Sequence, residues 1–76
     1  MKEKEVSFEI IAKLGTISTF RSGWQKELNL VSWNQENPKY DIRLWSTDHK
    51  SMSKGISLSR EEAEMLRNLL NKCLPK

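Results

Sequence analysis

The chain has 76 residues, a formal net charge of +3 and a sequence pI of about 9.2. A single small domain of this size has limited burial, which association with a second copy would relieve. The lone cysteine, Cys73, excludes a disulfide within the chain, and no apolar run is long enough for a signal peptide or a membrane span. We therefore expect a cytoplasmic protein that makes no membrane contact, with a frayed terminus over residues 1–5 and one domain over residues 6–76.

The first predicted element is a half-buried strand. Apolar and polar residues alternate from Val6 to Ala12, which is the pattern of a strand with one covered face. Near Gly15 the alternating apolar residues change from even-numbered to odd-numbered positions. A bulge or bend is therefore expected there, and the strand then continues to Phe20. Residues 21–23 contain a turn signal.

Two further strands are predicted over residues 24–34 and 40–46, separated by a polar loop that ends in Pro38. Side chains alternate across a pleated strand. This alternation places Trp33 and Trp45 on the faces that carry Asn29 and Arg43, opposite the leucine and isoleucine side chains. We expect the tryptophan face to be open.

A short fourth strand over residues 54–58 is predicted to run directly into a helix. Ile56 and Leu58 should point to the core, and Ser59 with Glu62 forms the signature of a capping box. An apolar stripe at helical spacing extends to Leu74. The fold class is therefore α+β, a four-stranded antiparallel sheet followed by one C-terminal helix (ββββα). The helix can cover one face of the sheet, so the other must meet solvent, a ligand or a second subunit.

The residues that could support catalysis are few. His49 follows Asp48 in a polar loop, where a solvated pair is the simplest interpretation, and Cys73 lies on the apolar stripe of the helix. One histidine and one cysteine cannot form a zinc site without other ligands, and no glycine-rich phosphate loop is present. We predict a protein without enzymatic activity, metal or cofactor.

Tryptophans interleaved with basic residues on an exposed sheet favour the binding of single-stranded nucleic acid. Bases stack on aromatic rings while cations contact the phosphates. Duplex recognition usually requires a helix or ribbon in a groove, and the only predicted helix is acidic at its start. The candidate binding residues are Trp24, Lys26, Trp33, Lys39, Arg43, Trp45 and Lys54, with Lys50 a weaker candidate.

Simpler interpretations of these residues remain open from the pattern alone. Tryptophans in a small domain are more often core or subunit contacts than ligand platforms. Arg43 could pair with Asp41 or with Glu27 of the neighbouring strand. The aromatic face could equally dock a protein partner, so a protein-interaction module is the alternative, and a tryptophan-lined dimer contact is the third interpretation.

The order of the motifs adds a resemblance. The segment YDIRLW followed by SKGISLSREEAEML resembles the positive-cofactor-four family of single-stranded-DNA-binding transcriptional coactivators. The segments GWQKELNLVSWN, PKYDIRLWSTDH and MSKGISLS look closer to its small bacterial YdbC-type branch. The resemblance implies a curved sheet backed by the helix, a homodimer formed through the C-terminal helices, and a grip on unpaired strands. It implies DNA contacts for Arg43, Trp45 and Lys54, an aromatic contact at Trp33 and a loop lysine at Lys39.

One difference from the eukaryotic members concerns Trp45. Those members have one more residue between the arginine and the tryptophan, and a single residue changes the face on which a side chain lies. The face on which Trp45 lies therefore depends on whether the third strand alternates regularly or contains a bulge, and the sequence allows both. Taken together, the residues and the resemblance predict a homodimer that binds single-stranded DNA with little sequence preference, with RNA as the alternative ligand.

Overall fold

The computed structural model describes residues 7–75, so the predictions for residues 1–5 and for Val6 lie outside the described residues. It contains the strands β1 (Phe8–Thr19), β2 (Gln25–Trp33), β3 (Lys39–Trp45) and β4 (Ile56–Leu58), followed by the helix α1 (Arg60–Cys73). The strands pair antiparallel in the order β1-β2-β3-β4. The predicted α+β class and the order of its elements are confirmed.

Strand β1 is bent by three bulges rather than by one irregularity near Gly15. Its 12 residues pair with the 9 residues of β2, and Ile11, Leu14 and Ile17 are the residues without a partner in the register. Each bulge bends a strand and increases its right-handed twist. Three of them at a spacing of three residues therefore give β1 a pronounced curl.

The first bulge also overturns the predicted alternation between Phe8 and Ala12. Phe8 is paired with Trp33, but Ala12 is paired with Leu30, which lies on the opposite face of β2. The extra residue at Ile11 moves Ala12 to the other face, and the bulges at Leu14 and Ile17 shift the faces again. An edge strand with repeated bulges cannot be assigned to faces by simple alternation.

The curl brings opposite ends of the sheet together. Phe8 pairs with Trp33 at one end of β2, whereas Trp45 pairs with Gln25 at the other end. In a flat strand the eight steps from Gln25 to Trp33 would span about 26 Å. The ring centroids of Phe8 and Trp45 are nevertheless 5.2 Å apart. The curl therefore covers the middle of the concave face and leaves Phe8 and Trp33 partly exposed.

This enclosure corrects the prediction that the tryptophan face is open. Among residues 7–75, the buried residues all lie on it: Glu27, Asn29, Val31, Asp41 and Trp45. On the opposite face, where the core was expected, Ile56 is 55% exposed and Ile17 is 56% exposed. A strongly curled sheet covers its own concave side, so the leucine-isoleucine side is left to the helix.

Helix α1 lies on the leucine-isoleucine side, as predicted, but it is loosely packed there. Ile17, Leu28 and Ile42 of the sheet and Leu66 and Leu70 of the helix line a groove of about 540 Å³ between the two. Within the described part of the chain, no side chain of the helix is buried. The apolar stripe of the helix is therefore largely uncovered in a single chain.

The helix begins where the sequence predicts. The Ser59 hydroxyl accepts a hydrogen bond from the Glu62 amide at 3.1 Å, and the Glu62 carboxylate accepts one from the Ser59 amide at 2.9 Å. These two bonds satisfy two otherwise unpaired amides of the first turn, which confirms the capping box. Among residues 7–75, no helix has the length and apolar character needed to cross a membrane.

Candidate nucleic-acid interface

Four rings form a row across the concave face, here called the aromatic row: His49, Trp45, Phe8 and Trp33. Neighbouring ring centroids are 5.6 Å apart for His49 and Trp45, 5.2 Å for Trp45 and Phe8, and 5.7 Å for Phe8 and Trp33. These separations are those of favourable aromatic pairs. The row gives the concave face a continuous aromatic strip.

Arg43 lies beside this row and is held by Asp41. The Nε of Arg43 donates to Oδ1 of Asp41 at 2.6 Å, and its Nη2 donates to Oδ2 at 2.8 Å. The Asp41 side chain is fully buried and that of Arg43 is 13% exposed. Bidentate pairs of this kind are geometrically specific as well as strong. The sequence had left open whether Arg43 pairs with Asp41 or Glu27, and the structure shows Asp41.

A second residue joins the pair from β4. The hydroxyl of Ser57 donates to Oδ2 of Asp41 at 2.8 Å. Asp41 therefore accepts three hydrogen bonds, which compensate for the removal of its charge from water. The sequence segments DIR and KGIS meet at this carboxylate, which gives a physical reason for their occurrence in one chain.

The guanidinium of Arg43 also contacts Trp33. Its central carbon lies 4.5 Å from the centroid of the Trp33 ring, a distance typical of a cation–π contact. The Nη1 of Arg43 donates to the carbonyl of Ser53 at 3.3 Å. Arg43 is thus fixed by Asp41 and by the loop before β4, and it in turn holds the ring of Trp33.

The loop before β4 passes directly over Arg43 at Gly55. A Cβ atom built at Gly55 would overlap the Cβ of Arg43 and the carbonyl oxygen of Ile42. Only glycine leaves room for this approach of two strands. The requirement is for close packing rather than for an unusual backbone angle.

His49 closes the other end of the aromatic row. Its Nε2 lies 3.0 and 3.1 Å from the two carboxylate oxygens of Glu27, and Asn29 donates from Nδ2 to Oε1 of Glu27 at 3.1 Å. The backbone at His49 is left-handed, with φ of 61°. The sequence paired His49 with Asp48, whereas the structure pairs it with a buried carboxylate of β2.

Asp48 instead shapes the loop that carries His49. The pKa of Asp48 lies below its ordinary value of 3.8. The main cause is the hydrogen bond from the Lys50 amide, and the hydrogen bond from the Ser46 hydroxyl lowers the pKa further. These bonds stabilise the ionised carboxylate. Asp48 therefore favours the compact turn of the loop at neutral pH.

The three predicted tryptophans differ in their exposure. Trp45 is 0% exposed, because Phe8 and His49 cover it, and so it presents no surface to a base. Trp33 is half-buried between Phe8 and Arg43. Trp24 is half-buried immediately before β2, next to Gln25, the residue that pairs with Trp45. Strand β3 alternates regularly, so Trp45 and Arg43 share a face without a bulge.

The predicted lysines also separate into two groups. Lys26 pairs with Leu44 and lies on the leucine-isoleucine face, opposite Trp33. Lys39 pairs with Val31 and lies on the face of Trp33. Lys39, Lys50 and Lys54 are exposed and make no ion pair among the described residues. The guanidinium of Arg43 is paired, so among the predicted binding residues, Lys26 aside, these three lysines carry the unneutralised charge.

Sequence reasoning missed two members of the aromatic row. Phe8 was assigned to an ordinary alternating strand, and His49 to a solvated loop. Their positions depend on the curl of β1 and on the left-handed backbone at His49. The only sequence signal was that Phe8, Ile11, Leu14 and Ile17 follow one another at intervals of three residues; the last three of them are the bulge positions.

Comparison with known proteins identifies the family of the chain. The sequence model of the family described as "Transcriptional Coactivator p15 (PC4)" matches residues 20–69, which include β2, β3, β4 and the first ten residues of α1. A protein of Treponema pallidum (strain Nichols), itself described as uncharacterized, is 45% identical over 78 residues, covering 93% of this chain and 92% of the relative. The chain belongs to the transcriptional coactivator p15 (PC4) family.

Proposed function

We propose that this protein binds single-stranded nucleic acid, DNA in preference to RNA, with little sequence preference and without enzymatic activity. Membership of the PC4 family points to such a coactivator-like role in single-strand binding. The observation that carries the proposal is the placement of Trp33. Trp33 is half-buried on the concave face, where the guanidinium carbon of Arg43 lies 4.5 Å from the centroid of its ring, and Lys39 lies on the same face.

The fixed ring would serve as a stacking platform. A base that stacks on an aromatic side chain contributes roughly 1–3 kcal/mol, and the contact tolerates any base. Because Arg43 and Phe8 already restrict the Trp33 ring, less conformational entropy is lost when a base arrives. This accounts for binding without sequence preference.

The exposed lysines would contact the phosphates. Lys39 begins β3, Lys50 lies in the loop of His49, and Lys54 precedes the glycine that packs on Arg43. Such contacts release counterions, so affinity falls with salt in proportion to the number of phosphates engaged. The proposal gives Arg43 and Trp45 a supporting role, since one is paired and the other enclosed.

The proposal includes a homodimer formed through α1. The helix exposes Met65 (57%), Leu69 (48%) and Leu70 (45%), and the residue that follows it, Leu74, is 61% exposed. These side chains lie beside the groove that Ile17 and Ile42 line. A contiguous apolar surface of this kind is unusual on a monomer and typical of an interface. A second copy of the same helix has the matching apolar surface, which favours a twofold arrangement.

The experiment is a titration of labelled oligo-dT, oligo-U and a duplex with the full chain, followed by fluorescence anisotropy. We expect oligo-dT to bind most tightly, oligo-U next and the duplex least, with quenching of tryptophan fluorescence by oligo-dT. Equal binding to the duplex would contradict the single-strand assignment. Binding to none of the three would contradict the proposed function and favour the protein-interaction alternative.

A further inference from the structure

The residue covering Trp45 lies outside the part of the chain that the PC4 family model matches. That match begins at residue 20, whereas β1 spans Phe8–Thr19. The three bulges of β1 bring Phe8 over Trp45, with 5.2 Å between the ring centroids and 52° between the ring planes. The concave face of this chain is thus completed by a strand that lies outside the matched range.

We propose that Phe8 is the base-stacking ring at this position, and that Trp45 supports it from beneath. This inference rests on the proposed function and adds a binding residue to it. Stacking requires an accessible ring face. Phe8 is 36% exposed, whereas Trp45 is 0% exposed. Phe8 therefore takes the place that the family resemblance gave to Trp45.

The neighbours of Trp45 leave none of its ring accessible to a ligand. His49 stacks on Trp45 with 28° between the ring planes, and the carboxylate of Glu27 holds His49 in place. Phe8 covers Trp45 from β1. A base that approaches the concave face here meets Phe8 first.

The position of Phe8 also suits a strand that already contacts Trp33. The rings of Phe8 and Trp33 are 5.7 Å apart and tilted by 47°, so together they form one bent apolar surface. Two successive bases could stack on this pair, since neighbouring bases of a single strand need neighbouring platforms. The second platform is supplied by β1 rather than by β3.

The test is the affinity of the variant Phe8→Leu for oligo-dT, measured by anisotropy at several salt concentrations. Leucine retains apolar cover for Trp45 but offers no ring. We expect affinity to fall about tenfold, as for the loss of one stacked base. The slope of log affinity against log salt should stay unchanged, because the phosphate contacts remain.

Two further variants separate binding from folding. Phe8→Tyr keeps the ring and should bind within about twofold of the unmodified protein, at the scale of a neutral surface change. Phe20→Leu makes the same substitution at an exposed phenylalanine beyond the other end of β1, and should not change the affinity. A folding defect in Phe8→Leu would lower the active fraction in a stoichiometric titration, rather than the affinity.

The outcomes distinguish this inference from the proposed function. If Phe8→Leu binds oligo-dT as tightly as the unmodified protein, or more tightly, then Phe8 is a cover over Trp45 and the inference is wrong while the function stands. If the unmodified protein itself fails to bind oligo-dT, the proposed function and the inference fall together.

Discussion

The backbone at Gly55 lies directly against the side chain of Arg43, so that a Cβ atom at Gly55 would overlap the Cβ of Arg43. Arg43 cannot retreat, because Asp41 holds its guanidinium through two hydrogen bonds. One glycine thus permits β4 to pack beside the residue that positions Trp33.

The variant Gly55→Ala should therefore lose stability. Overpacking of a close contact typically costs about 1–3 kcal/mol, and the displaced Arg43 should also loosen the Trp33 ring. Urea denaturation followed by circular dichroism measures the change. The control is Gly15→Ala, where no atom lies within 4 Å of the new Cβ. That variant should be neutral, and an equal loss in both would show that the close contact is unimportant.

The buried ion pair gives a second prediction. Asp41→Asn leaves the charge of Arg43 largely buried without its partner, which should cost on the order of 3–5 kcal/mol of unfolding free energy. The matched control is Glu64→Gln, which breaks the exposed pair of Arg60 and Glu64 on the helix. That change should cost less than about 1 kcal/mol. Similar losses in the two variants would contradict the structural importance of the Asp41 carboxylate.

The two faces of the sheet should differ in their effect on binding. Lys54→Gln removes an exposed charge beside Arg43 and should reduce the salt slope for oligo-dT by about 0.7, the value for one phosphate of a single strand. Lys26→Gln removes the same charge from the opposite face and should leave the slope unchanged. A larger effect at Lys26 would place the bound strand on the leucine-isoleucine face.

The dimer proposal can be tested on the helix. Leu69→Glu introduces a charge into the exposed apolar stripe, where Leu69 is 48% exposed, and should convert the dimer to a monomer because a buried, unpaired charge is costly. Light scattering at micromolar concentration measures the mass. Asn68→Glu adds the same charge to the adjacent position and should leave the dimer intact. A monomeric unmodified protein would contradict the proposal directly.

The sequence predicts the elements of this fold more reliably than the location of its interior. The capping box of Ser59 and Glu62 and the shared face of Arg43 and Trp45 follow from local pattern, and both are confirmed. The burial of Trp45 does not follow from local pattern, because it depends on Phe8 arriving from the far end of a curled sheet. Alternation identifies the two faces of a strand, but curvature decides which face becomes enclosed.

The site shows the same division between local and distant contacts. The segment DIR places Asp41 and Arg43 on one side of β3, so their pairing was among the alternatives that the sequence offered. The partner of His49 was not, since Glu27 lies 22 positions away on another strand. The contact of His49 depends on the left-handed backbone of its loop, and the cover over Trp45 depends on the curl of β1; the alternation within β3 reveals neither.

The most direct measurement is the affinity of the unmodified protein for oligo-dT as a function of salt concentration. If Lys39, Lys50 and Lys54 each contact one phosphate, log affinity should fall against log salt with a slope of about −2 per protomer. Tryptophan fluorescence should be quenched at every salt concentration at which oligo-dT is bound, because stacking on Trp33 does not depend on charge. A slope near zero, or binding without quenching, would contradict an interface made of lysines and aromatic rings.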